Sequence, residues 1–174
     1  LGDVYKRQAG EYTVYYKIEK ANYDTIKGSK TVNISRKDVT ITAGSQSVVW
    51  NHNIDQTKYK VSGLAGGDSI TDITLTPSTS ALTDNGIITI SNVKIGNCED
   101  VTHNYNILVV NGRLEITHDT TLAPTGINAI KTKLSYKEGD ILNVDDIIVT
   151  ANYADGYSEN VTEFTTNASD IDMN

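Results

Sequence analysis

A chain of 174 residues with a formal charge of −7 can hold one or two cored domains, and it lacks the basic stripe that nucleic-acid binding uses. Lys6-Arg7 and Arg36-Lys37 are its longest basic runs, and a single cysteine, Cys98, excludes an internal disulfide. No apolar run approaches the length of a membrane-spanning helix. The apolar fraction of 38%, rich in Val, Ile and Tyr, favours strands.

In chain order, the opening LGDVYKRQ (1–8) resembles a translated sequencing-adapter read-through and is expected to be foreign to the protein. From Glu11 the pattern alternates strictly. Tyr12, Val14, Tyr16 and Ile18 share one face, and Thr13, Tyr15, Lys17 and Glu19 share the other, which predicts a strand with one buried side. Further short strands are expected at 32–34, 39–43, 59–61, 70–75, 87–90, 93–95, 105–109 and 114–116. Between the last two, Asn111-Gly112 is the strongest short-range hairpin signal, because both residues tolerate positive φ. Asn85-Gly86, Gly66-Gly67-Asp68 and Asp155-Gly156 mark other boundaries. No segment sustains a helical apolar stripe, so the expected fold class is all-β, in sandwich modules.

Two stretches echo each other: NYDTIKGSKTVNI (22–34) and NYNILVVNGRLEI (104–116). Both read as the closing hairpin of a unit, with Tyr23 and Tyr105 anchoring cores and Gly112 turning a hairpin. A repeat of roughly 80 residues suits beads on a string better than a solenoid. The expected organisation is the closing strands of a preceding repeat at 9–36 and a complete unit at 37–117. A linker at 118–124, containing Pro124, leads to a different module at 125–174.

The segment 58–117 resembles the MBG-type repeats of bacterial surface proteins, through YKVSGLAGGDSI (59–70), EDVTHNYNI (99–107) and VNGRLEIT (110–117). AGEYTVYYKIEKANYDTIKGSKTVNI (9–34) resembles the closing strands of a related unit. VVWNHN (48–53) departs from the family's Tyr-Asp-Gly or Tyr-Gly turn, with Trp50 in the Tyr place. The last part (125–164) is similar to bacterial Ig-like domains through Tyr136-Lys137-Glu138-Gly139-Asp140, the run 147–153 and Ala154-Asp155-Gly156. These resemblances imply tandem Ig-like β-sandwich modules, the first and last incomplete.

Chemical candidates are few. Cys98, Glu99, Asp100 and His103 hold zinc-type donors, yet no second Cys or His pair stands at ligand spacing. Asp140, Asp145, Asp146, Asp155, Asp170 and Asp172 supply hard oxygen donors suited to calcium at a domain junction, without an EF-hand loop. His52, His103 and His118 are scattered, and no nucleophile-elbow or zincin motif occurs. Trp50, with Tyr15 or Tyr157 on a polar face, offers a plane for a sugar ring, against the alternative of packing in a sandwich core. Asn33, Asn160 and Asn167 open glycosylation sequons, which carry no message in a bacterial chain.

The expectation is therefore a non-catalytic structural or adhesive repeat segment of a large exported bacterial surface protein, extracellular or attached to the cell wall. Catalytic, cofactor-binding and metal residues are expected to be none, and Trp50 is the one speculative ligand contact. The expected partners are neighbouring Ig-like repeats of the same chain, with host glycans or surface proteins beside them. The alternative is a carbohydrate- or host-ligand-binding module accessory to a secreted glycan-active enzyme.

Overall fold

The computed structural model describes residues 8–140 and 146–166. Asp145, Asn167, Asp170 and Asp172, and all but the last residue of LGDVYKRQ, lie outside them. The protein is all-β, with a 3-10 turn at Thr102–Asn104. The chain divides into two compact units. One takes the residues through Gln46 together with Ile54–Ser78 and Asn85–Leu114; the other takes Ser47–Asn53, Thr79–Asp84 and the residues from Glu115 onward.

The first unit opens with an antiparallel ribbon of β1 (Gly10–Ile18) and β2 (Ile26–Ile34), in register from Gly10 opposite Ile34 to Ile18 opposite Ile26. Opposed residues share a face, so Tyr12, Val14, Tyr16 and Ile18 line up with Val32, Lys30, Gly28 and Ile26. The Tyr16 ring lies across Gly28, where any Cβ would collide with it. The buried side expected for β1 is corrected: Tyr12 is half-buried, while Val14, Tyr16 and Ile18 are exposed. Among the described residues the two strands pair only with each other, and a two-stranded ribbon by itself supplies no second layer to its apolar side chains. Tyr23 is likewise corrected. It stands 70% exposed in the turn after Asn22 (φ 69°), with the Lys20 ammonium 4.8 Å from its ring centroid.

Two sheets follow. In one, β3 (Lys37–Ala43) lies between β5 (Tyr59–Ser62) and β9 (Tyr105–Val110), antiparallel to the former and parallel to the latter. The other has the order β4 (Gln46–Val49), β10 (Gly112–Thr117), β7 (Thr83–Asn97) and β6 (Ser69–Pro77), with β8 (Glu99–Asp100) folded back on β7. Alternation aims Val39, Ile41 and Ala43 of β3 inward, and Leu114 and Ile116 of β10. Val39, Ile95 and Tyr105 form a buried cluster with Val61, Ile70 and Ile107 packed around it, drawing on both sheets. Full burial of such side chains contributes about 1.5–3 kcal/mol each relative to exposure.

Two expected turns are absent. The strands expected at 87–90 and 93–95 are one strand, β7, with Asn85-Gly86 inside it. Asn92 adopts φ 52°, and the register against β6 slips between Asp72 and Thr74, which marks a bulge rather than a break. The Asn111-Gly112 hairpin is also overturned. β9 and β10 belong to different sheets, and neither Asn111 nor Gly112 has positive φ. Gly112 is needed for another reason: a Cβ there would sit 2.7 Å from the Gly44 carbonyl oxygen and 2.9 Å from that of Ala43. The two echoing stretches thus differ in structure. Asn22-Tyr23 sits in the ribbon's turn and Ile26–Ile34 is one strand, whereas Tyr105 begins β9 and Gly112 begins a strand of the other sheet.

Tyr105 does anchor the core, at 5% exposure. Its hydroxyl accepts the Ala65 N–H (2.9 Å) and donates to the Asp68 carboxylate, fastening the loop that Gly63 (φ 95°) and Gly67 (φ 90°) allow. Burial, and then the Asp68 hydrogen bond, hold its phenol above the usual value. Two glutamines complete the unit by acting as strand neighbours. Buried Gln46 accepts from Asp55 N (2.7 Å) and donates to Asp55 O (3.1 Å); Gln56 does the same to Leu75 N (2.8 Å) and O (2.9 Å).

In the second unit, β11 (Gly126–Lys131), β12 (Ile147–Asn152) and β13 (Ser158–Asn160) form an antiparallel sheet. Val149 and Ala151 of β12 are buried. The Asp155-Gly156 turn joins β12 to β13 where it was expected, with Gly156 at φ 87°.

Candidate functional site around His118 and Trp50

After β10 the chain runs into His118-Asp119-Thr120-Thr121. Asp119 Oδ1 accepts both the Thr121 N–H (2.9 Å) and its hydroxyl (2.7 Å), a side-chain-built turn. The same D-x-T geometry recurs at Asp55 with Thr57, and in its backbone bond at Asp100 with Thr102. The Thr121 hydroxyl and amide hold the Asp119 carboxyl below its usual value, with burial opposing and nearby His52 and His118 assisting. Two histidines that read as scattered in sequence therefore act on one carboxylate.

Asp155 is the centre of the cluster, its side chain fully buried. Oδ2 accepts from His118 Nδ1 (2.6 Å) and Asp119 N (3.2 Å), and Oδ1 accepts from Tyr157 N (3.0 Å). Burial pushes its carboxyl up, but the His118 hydrogen bond and the Tyr157 and Asp119 amides outweigh this and hold it below the usual range. The His118 ring stacks on Tyr157 at 4.1 Å and 20°, and meets Tyr153 edge-on at 4.8 Å. The Tyr153 hydroxyl donates to Glu159. A buried carboxylate with three donors fixes the segment after β10 against the β12–β13 turn. Its oxygens are engaged by the chain itself.

Trp50 is half-buried, between the core and surface expectations. It occupies the turn after β4, where His52 N bonds Val49 O (3.1 Å) and Asn51 has φ 63°. Its own N–H bonds Thr117 O (2.9 Å), and its carbonyl faces His52 Nδ1 (3.2 Å). Tyr15 is 78% exposed on the ribbon's polar face, whereas one face of Tyr157 is covered by His118.

The zinc-type cluster does not assemble. Cys98 is exposed in the β7–β8 turn at φ 73°, and Asp100 caps Thr102. Among the described residues no three His, Cys, Asp or Glu side chains converge on a possible metal position. Of the calcium candidates, Asp140 accepts the Lys137 N–H (2.9 Å) and pairs with Lys133 (3.6 Å), and Asp155 serves His118. No helix of the described chain is long and apolar enough to cross a membrane. Sequence reasoning missed the His118–Asp155 cluster; its trace is the string Tyr153-Ala154-Asp155-Gly156-Tyr157, where a turn aspartate is flanked by two rings.

In comparison with known proteins, the chain matches no family model, no curated protein and no solved structure.

Proposed function

We propose that this chain is a non-catalytic structural or adhesive segment of a large exported bacterial surface protein, built from tandem Ig-like β-sandwich modules and acting as a stalk or display unit. The observation that carries the reading is the pairing of β3 with β9. The strand that opens the 37–117 segment runs parallel to one near its end, from Lys37 opposite Tyr105 to Thr42 opposite Val110. Opposed pulling along such strands shears the evenly spaced ladder bonds together rather than unzipping them in turn. The fastening of His118 and Asp119 by Asp155 supports the same reading, because it makes the segment after β10 an ordered structure rather than a loose tether. Stretching the full chain from its ends under an optical trap tests this. An abrupt rupture is expected, weakened by Leu108→Pro in β9; smooth extension at low force would remove the stalk reading.

A second reading keeps Trp50 as a contact for host glycans, since the residue is half-buried on a turn whose backbone is fixed on both sides. Glycan-array binding that disappears in Trp50→Ala would favour this module over the stalk.

A further inference from the structure

Within the first unit, the start of β1, the two-residue link from β2 to β3 and the 3-10 turn before β9 line a cavity of about 450 Å³. Pockets for small ligands run from about 300 to 1,000 Å³. The wall carries Asn33, Ser35, Arg36, His103 and Asn106. Two long-range bonds fix it. The Ala9 N–H donates to Asn104 Oδ1 (2.7 Å), tying the start of the ribbon to the turn that bears His103. Asn106 Nδ2 donates to Asp38 Oδ1 (3.0 Å), tying β9 to the start of β3.

The residues in the wall decide its charge. The chain carries 22 Asp/Glu against 15 Lys/Arg, yet among the described residues no carboxylate lines this cavity, and Arg36 does. Arg36 has no hydrogen bond or ion pair with any described residue. Its guanidinium is a planar fork of donors that matches two oxygens of one oxyanion. The His103 ring presents an N–H in either tautomer, and the Ser35 hydroxyl adds another donor. Asp38 and Asp100, the acidic neighbours of Asn106 and His103, are engaged by Asn106 Nδ2 and by Thr102 N (2.9 Å) and do not line the cavity.

We propose that this cavity binds the oxyanion group, a carboxylate or a sulfate, of a small ligand. Arg36 is the principal contact, with His103 and Ser35 as flanking donors. A cation would meet the guanidinium head-on, and a neutral ligand would leave it without a counter-charge, so an anion is the complementary occupant. The proposal is independent of the stalk reading, because it requires neither tandem modules nor mechanical load.

Titrations of the full chain with sodium sulfate, sodium glucuronate and glucose test it, at constant ionic strength and read as backbone amide shifts residue by residue. Saturable shifts are expected at Ser35, Arg36 and His103 with sulfate or glucuronate, and none with glucose. The anion that saturates at the lower concentration names the source, a sulfated or a carboxylated ligand. Arg36→Gln is expected to weaken binding about tenfold or more, the loss that goes with a charge-assisted contact. Lys37→Gln removes the same charge one residue on, from an ammonium that donates to Leu64 O (3.2 Å) and does not line the cavity. It is expected to leave binding within about twofold, because an exposed charge outside the site is screened. The absence of a saturable shift with either anion overturns the proposal. So do equal weakening in the two variants and saturation by glucose at the same residues.

Discussion

Gly112 lies so close to Gly44 that a methyl group at position 112 would stand 2.7 Å from the Gly44 carbonyl oxygen. The contact brings the start of β10 against the end of β3 and needs a residue without a side chain. Gly112→Ala should therefore destabilise the chain by about 1–3 kcal/mol, the usual cost of overpacking. Asn111→Ala should be close to neutral, since Asn111 is exposed and its φ is not positive. Urea denaturation of the two variants separates the possibilities: comparable losses in both would restore a tight Asn-Gly turn.

Tyr105 makes a second long-range tie, and a one-atom change isolates it. Tyr105→Phe keeps the ring in the core with Val39 and Ile95 but leaves the Ala65 N–H and the Asp68 carboxylate without their shared hydroxyl. The expected loss is about 1–2 kcal/mol, the range for half-buried groups left unpaired. The Ala65 amide should show the largest change in hydrogen-exchange protection. An unchanged urea midpoint with unchanged Ala65 exchange would refute the tie.

These two residues show where the sequence was legible. Alternation placed β1, β3, β5 and β6, and Tyr105 as a core residue, because strand periodicity is local. The Asn-Gly signal at 111–112 misled because it too is local, whereas the partner of β9 is β3, far back in the chain. Gln46 and Gln56 reach backbone partners 9 and 19 residues away, and no spacing rule announces an amide that stands in for a strand. The His118–Asp155 bond spans 37 residues and has only the two tyrosines beside Asp155 as a trace. The face of β1 was read correctly as apolar, but burial depends on what covers a face, and periodicity does not report that.

The D-x-T turns predict a particular response to acid. The carboxyls of Asp55, Asp100 and Asp119 are held below their usual value of 3.8, chiefly by the hydroxyl and amide of the threonine two residues on. Groups depressed in the folded state stabilise it fully above the unfolded value, and that contribution is lost as pH falls through the folded one. Stability should thus fall as pH drops from about 4 downward. In the triple Asp→Asn variant at 55, 100 and 119, an amide oxygen can still accept from threonine but does not titrate, so the acid-induced drop should be smaller. Urea midpoints followed from neutral to acid pH give the comparison, and parallel curves for the two proteins would count against the turns.

Burial predicts that the β11–β12–β13 sheet opens before the sandwich strands β3 and β7. Among the described residues, the buried apolar side chains beyond Gly126 are Val149 and Ala151, while Ile127 is 70% exposed, Leu134 82% and Ile148 49%. The sandwich strands instead hold Ile41, Ile88, Ile95 and Leu114 at 0% exposure. Local opening free energies follow such differences in buried apolar contact. The amides of β12 should therefore exchange with solvent well before those of β3 and β7, although all three strands carry ladder bonds. The fastening of Asp155 sets the exception: the Tyr157 and Asp119 amides that it binds should be slower than their neighbours. Exchange measured residue by residue under native conditions decides this. Equal protection in β12 and β3 would mean that the last sheet gains stability from contacts other than those that bury Val149 and Ala151.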